Sequence, residues 1–282
     1  METGGPVAEA VATTSYPPAR HLLRDLRVVF DGAGEERTLS FDVVPEVLTD
    51  RGALDAGVAA TLIDIQSGGA ALEAVAPDWI VTSDLTLHML RPVGEGPLVG
   101  RTKRLRAGRN NVVLETSLWR VGEQAPVASA QLGFTRIVRR DEGPNVVAGA
   151  SSRTSFALPE SGLRAPVYEQ LGLRAVDADR GVFELDVTDY QRNSVGALQG
   201  GVAVALATRS VQALARARVG SPLVTTDLTA HYLALGNVGP IRSEAVVLRA
   251  GPDELVARVE LRDPGQEGRL CTVVTATARP FG

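Results

Sequence analysis

An internal duplication constrains this chain of 282 residues more than any other feature. The stretch TSDLTLHML, Thr82 to Leu90, returns as TTDLTAHYL, Thr225 to Leu233, at an offset of 143 residues. Aligning residues 82–108 with 225–251 at that offset gives 12 identities in 27 positions. They include Asp84/Asp227, His88/His231, Gly96-Pro97/Gly239-Pro240 and the closing Leu-Arg-Ala-Gly. A repeat of this length means duplicated domains, because solenoid repeats run to about 20–50 residues.

Both copies have the same order of patterns. A short helix-like entry (ARHLLRDL; APVYEQLGL) precedes a hairpin signal, LRVVF-DGAGEE-RTLSFDVV in the first copy and LRAV-DADRG-VFELDV in the second. Asp and Gly between alternating apolar residues mark the turn. An Ala- and Leu-rich segment then begins at glycine, Gly57–Ala76 and Gly200–Val219. It is too long for a strand and apolar around most of its circumference, which predicts a buried helix. Four strand-like runs close each unit. The expected fold class is α+β, with two antiparallel sheets each wrapped around a long central helix. A single such unit would leave a sheet edge and a helix face uncovered, so the two are expected to pack as an intramolecular pseudo-dimer. The expected boundaries are a flexible tail at 1–20, domain 1 at 21–138, a Gly/Ser/Pro-rich linker at 139–164 and domain 2 at 165–282.

Composition narrows the function. The net charge is −4 and no long basic run occurs, which argues against nucleic acid or an anionic membrane as partner. No apolar run reaches the ~18 residues of a spanning helix, and the N-terminus lacks the pattern of a signal peptide. A single cysteine, Cys271, permits no disulfide within the chain and fits a cytoplasmic setting. His21, His88 and His231 lie far apart with no metal-ligand spacing, so no metal is expected. Asp84, Thr86 and His88 alternate with Leu85, Leu87 and Met89 and recur in both copies, so they are read as parts of the scaffold.

NSVGALQGGVAVALA, Asn193 to Ala207, followed by LVTTDLTAHYL, resembles the acyl-CoA thioesterase branch of the hot-dog superfamily, the phenylacetate-pathway (PaaI-like) type. The resemblance covers nearly the whole chain, twice, and implies a double hot-dog. The family pattern is an Asn, a His or Gln six positions later, and Gly-Gly opening the helix. A helix carboxylate follows seven residues after the second Gly, and a Ser or Thr lies two before the strand Asp. In that family one unit supplies the Asn and the Gly-Gly helix start, and its neighbour supplies the carboxylate and the hydroxyl. Carried onto this chain, copy two holds Asn193, Gln199, Gly200 and Gly201, but has Thr208 at the carboxylate position. Copy one holds Asp64 and Thr82, but has Thr49 and Asp55 at the Asn and Gln positions and Ala56-Gly57 at the glycine pair. Each copy has lost what the other keeps. The resemblance therefore implies one composite catalytic site of Asp64, Thr82, Asn193, Gln199 and Gly200, and an opposite interface without the usual parts.

Thioester hydrolysis passes through a tetrahedral oxyanion, which a helix N-terminus can stabilise with free N–H groups and a partial positive charge. Gly200 would admit the acyl carbonyl, Gln199 and Asn193 would donate amide hydrogens or orient water, and Asp64 would be general base or nucleophile. Gly201 is expected at the substrate, and Arg106 and Arg109 are candidates for the phosphates of coenzyme A or else a solvated strand end. The implied function is an acyl-CoA thioesterase of lipid metabolism acting on fatty or aromatic acyl-CoA and needing no bound cofactor, with association of the double unit into a homo-oligomer possible. Three rivals stand beside it. One is an acyl-CoA binder without turnover. A hot-dog hydratase or dehydratase would use a GDxNPxH-like segment, which this sequence lacks. TesB-type double hot-dog thioesterases share the architecture and place their catalytic Asp differently.

Overall fold

The computed structural model describes residues 16–138 and 153–281. Most of the expected tail (1–15) and the first part of the expected linker (139–152) lie outside the described residues.

Copy one runs α1 (Leu22–Asp25), β1 (Val29–Asp31), β2 (Thr38–Val43), α2 (Ala56–Val75), β3 (Trp79–Met89), β4 (Gly96–Ala107), β5 (Asn111–Arg120) and β6 (Pro126–Ile137). After β7 (Thr154–Ser155), copy two repeats the order as α3 (Val167–Gln170), β8 (Arg174–Asp177), β9 (Val182–Leu185), α4 (Gly200–Val219), β10 (Val224–Tyr232), β11 (Ile241–Ala250), β12 (Leu255–Asp263) and β13 (Arg269–Arg279). Both hairpins and both 20-residue helices fall where the apolar patterns place them. The helices pack on the inner faces of their own copies' strands and on each other. Leu62 and Ile63 of α2 and Val204 and Leu206 of α4 are fully buried there.

The expectation of two separate sheets is corrected. The strands form one 13-stranded sheet in the order β7-β1-β2-β4-β5-β6-β3-β10-β13-β12-β11-β9-β8. The repeated motif is the seam. β3 and β10 pair antiparallel, with Thr86 opposite Thr229, His88 opposite Asp227 and Asp84 opposite His231. Thr86 and Thr229 are the same position of the two copies, so the pairing is centred on a local two-fold axis. The two strands thereby satisfy edges that each unit alone would expose. Leu85, Leu87 and Met89 point into the core, while His88 Nδ1 lies 2.8 Å from Asp227 Oδ1 on the outer face.

A bulge modifies both seam strands. The register of β3 against β6 slips between Thr82 and Asp84, and that of β10 against β13 between Thr225 and Asp227. Strict alternation would put Thr82 on the outer face with Asp84. The extra residue, Ser83, turns Thr82 inward toward α2. Residues 153–164, inside the expected linker, lie along copy one. There β7 pairs with β1, and the Phe156 ring meets Phe30 edge-on at 5.7 Å.

Candidate active site

Asp64 lies two turns into α2 among apolar neighbours. Its Oδ1 accepts a hydrogen bond from Thr82 Oγ1 at 2.9 Å, which the bulge makes reachable. Its Oδ2 accepts the backbone N–H of Gly201, in the first turn of α4, at 3.2 Å. The carboxylate of one copy is thus held at the helix start of the other. Desolvation by the surrounding protein raises the Asp64 pKa to about 6, against the opposing pull of the Thr82 and Gly201 hydrogen bonds.

The start of α4 has no side-chain cap: Gln199 occupies the N-cap position without bonding to the helix. Among the described residues no acceptor takes the Gly200 N–H. A Cβ on Gly200 would stand 3.1 Å from Asp64 Oδ2, 3.3 Å from Thr82 Oγ1 and 3.3 Å from the Tyr232 ring. Glycine therefore leaves a gap at the Gly200 N–H beside the carboxylate, which already takes the next N–H of the helix, that of Gly201. Gly201 is placed differently. A Cβ there would come within 2.4 Å of Thr61 Cα, so it serves close helix–helix packing and holds Asp64 through its N–H.

Asn193 and Gln199 flank the gap. Asn193 Oδ1 accepts from the N–H groups of Val195 and Ala197 at 3.1 and 3.0 Å, which fixes the turn leading into α4. Gln199 is buried, its Nε2 donates to the Tyr16 hydroxyl at 3.0 Å, and its Oε1 has no partner. All five residues assigned to the chemistry come together, and all five line one cavity of about 490 Å³. Arg106 and Arg109 do not join them. They are exposed around the β4–β5 turn and are not among the residues that line the cavity.

Two tyrosines escaped the sequence reading. Tyr232 donates its hydroxyl to Gly200 O at 2.8 Å and steadies the first residue of α4. A signal existed, because copy one has Met89 at that repeat position. Tyr16 has no repeat counterpart to mark it. It enters the cavity from a segment anchored by His21, whose Nε2 lies 2.8 Å from Arg192 O.

The opposite interface shows how a related arrangement is closed. Thr208 and Thr225, the counterparts of Asp64 and Thr82, are buried and each hydroxyl lacks a hydrogen-bond partner. Asp55, the counterpart of Gln199, caps α2 itself by accepting the Gly57 N–H at 2.7 Å. Tyr168 and Gln212 each donate to the same carboxylate at 2.6 Å. At the opposite interface the carboxylate on the helix start is the N-cap side chain of α2 itself, whereas at α4 it is Asp64 of the other copy. Among the described residues, no group of three or more His, Cys, Asp or Glu side chains could hold a metal ion. Nor is any described helix long and apolar enough to cross a membrane.

Residues 189–279, which contain the Gly200 helix start and the second seam strand, match the family described as the acyl-CoA thioesterase N-terminal domain. The whole architecture is similar to a conserved protein with a hot dog fold from Alicyclobacillus acidocaldarius. The TM-score is 0.57 at 15% identity, over 92% of this chain and 97% of that one. The whole chain has the hot-dog fold, and its second copy carries the match to an acyl-CoA thioesterase domain. Two further solved structures are similar to this chain over most of its length. A tesB protein of Mycobacterium avium subspecies paratuberculosis has a TM-score of 0.59 at 12% identity, covering 89% of this chain and 96% of its own. An acyl-ACP thioesterase of Bacteroides thetaiotaomicron has a TM-score of 0.57 at 12% identity, covering 86% and 97%. No curated protein matches the chain by sequence.

Proposed function

We propose that this hot-dog protein hydrolyses the thioester of a fatty or aromatic acyl-CoA, at one composite site between the copies of a double hot-dog pseudo-dimer. The observation that carries the reading is the Asp64 carboxylate, held by Thr82 and Gly201 across the gap that Gly200 leaves open.

The acyl carbonyl would enter that gap. Its oxygen would take the Gly200 N–H, with the helix dipole behind it, and the Gln199 carboxamide would stand alongside. One such donor is worth ~3 kcal/mol to an oxyanion in comparable sites. Asp64, with a pKa near 6, is ionised at neutral pH and poised to accept a proton from water. The hydroxide formed attacks the carbonyl carbon, and the tetrahedral intermediate collapses with cleavage of the C–S bond. The proton on Asp64 passes to the departing thiolate. A nucleophilic Asp64 would instead form an acyl anhydride with loss of the thiolate, and single turnover in ¹⁸O-water would then label the Asp64 side chain where water opens the anhydride at the Asp64 carbonyl. Arg106 and Arg109 take no part in these steps. As an exposed cationic turn they could meet only the outlying phosphates of coenzyme A.

The test is thiol release by the purified chain from a panel of fatty and aromatic acyl-CoAs. Turnover that Asp64→Ala abolishes supports the proposal. Tight acyl-CoA binding without turnover would replace it with a binding or sensing role.

A further inference from the structure

Beside Asp64 the cavity extends along one face of α2, past Ile65, Gly68, Gly69 and Leu72 to Glu73. Its opposite walls carry Phe30, Ile80, Phe134 and Phe156, so most of its length is apolar. At Glu73 that character ends. Arg37 pairs with Glu73 at 3.1 Å and lies over the Phe30 ring at 4.4 Å, its guanidinium sitting in the space a Cβ on Gly69 would need. From Asp64 to Glu73 the helix rises about 13 Å.

The other copy shows that this lining is not a by-product of the fold. Aligning α4 on α2 through Gly201 and Gly57 makes Arg209, Gln212 and Arg216 the counterparts of Ile65, Gly68 and Leu72. These three line a cavity of about 570 Å³ at the opposite interface, where Gln212 reaches across to Asp55. The same backbone groove is polar and bridged in one copy, and apolar and open in the other. The open one ends at Asp64, whose carboxylate meets the start of the other copy's helix through the Gly201 N–H. A Cβ on Gly68 would meet nothing within 4 Å, so the glycine is the point where the channel floor is lowest.

Building on the proposed thioesterase reading, we propose that this groove is the acyl channel and selects unbranched medium-chain acyl groups. Gly68 sets its depth, and the Arg37–Glu73 pair forms its far end. An extended alkyl chain advances about 1.25 Å per carbon–carbon bond of ~1.5 Å, so the channel holds about ten carbons. The guanidinium at its end is already paired and stacked, so it offers no free charge to a terminal carboxylate. A longer chain must press methylenes against an ion pair or fold back.

The experiment compares kcat/KM for even-numbered acyl-CoAs from butyryl to palmitoyl in wild type, Gly68→Ala and Gly68→Leu. In wild type kcat/KM should rise by up to about fourfold for each methylene buried and then fall beyond about ten to twelve carbons. In Gly68→Leu the ratio of decanoyl to butyryl kcat/KM should drop at least about tenfold. Gly68→Ala, which suits a helix better, should shift the same ratio less and in the same direction. A wild type that cleaves thioesters with a flat chain-length profile overturns the channel assignment, as does a profile that Gly68→Leu leaves unaltered. A wild type that cleaves none contradicts the thioesterase reading itself.

Discussion

Asp64 Oδ2 of the first copy accepts the backbone N–H of Gly201 of the second at 3.2 Å. That bond ties a carboxylate to the start of a helix that lies 137 residues later in the chain, across the local two-fold axis through Thr86 and Thr229. Its symmetry-related position holds Thr208, whose hydroxyl has no partner. The copies share a backbone plan and differ in chemistry.

The pH dependence of turnover follows from Asp64. Burial holds its pKa at about 6, and only the ionised form can take a proton from water. Log kcat/KM should rise with slope one on the acid side and level off above a pKa near 6. A pH–rate profile on a good substrate checks this, and a profile flat from pH 5 to 7 would count against Asp64.

The same raised pKa costs stability. The folded state binds the Asp64 proton more tightly than the unfolded chain, so this contribution weakens the fold as pH rises from about 4 through 6. Asp64→Asn removes the ionisation. It should stabilise the protein at pH 7 by up to about 3 kcal/mol and have little effect at pH 4. Urea unfolding of both proteins at the two pH values measures this while the variant loses turnover.

The adjacent glycines should separate function from packing. Gly200→Ala places a methyl in the gap at contacts of 3.1–3.3 Å, and is expected to change stability by less than about 1 kcal/mol. The same methyl should lower kcat about 100-fold by crowding the oxyanion site. Gly201→Ala drives a Cβ to 2.4 Å from Thr61 Cα and should destabilise by about 3 kcal/mol. Thermal melts alongside thiol-release rates distinguish the two.

Tyr16 positions Gln199. Without the phenol oxygen, the carboxamide loses the acceptor at 3.0 Å that holds it beside the gap. Tyr16→Phe should lower kcat about tenfold, the equivalent of one hydrogen bond of ~1.4 kcal/mol, with KM nearly unchanged. Steady-state kinetics with kcat and KM resolved are the check.

Much of this was legible in the sequence because the duplication supplied its own control. Hydrophobic spacing located both helices and hairpins, and the pattern of the family it resembles, laid on both copies, set Asp64 against Thr208 and Asn193 against Thr49. What escaped depends on geometry that spacing does not record. The bulge at Ser83 reverses Thr82 against simple alternation, and edge complementarity merges two expected sheets into one. Tyr16 reaches Gln199 across a sequence separation of 183 residues. Arg106 and Arg109 looked suited to phosphate by charge alone, yet the β4–β5 turn carries them away from the cavity. Gly68 draws attention only beside Gln212, once both are seen on equivalent faces of their helices.

The central claim is one composite site, with its carboxylate from copy one and its helix start from copy two. Initial rates of thiol release from a medium-chain acyl-CoA at pH 8 test it through two symmetry-related variants, Asp64→Asn and Thr208→Val. Asp64→Asn should lose about 1,000-fold, within the range for removing a catalytic acid–base group. Thr208→Val replaces an unpartnered buried hydroxyl and should stay within about twofold of wild type. Comparable losses in both variants, or full activity in Asp64→Asn, would contradict it.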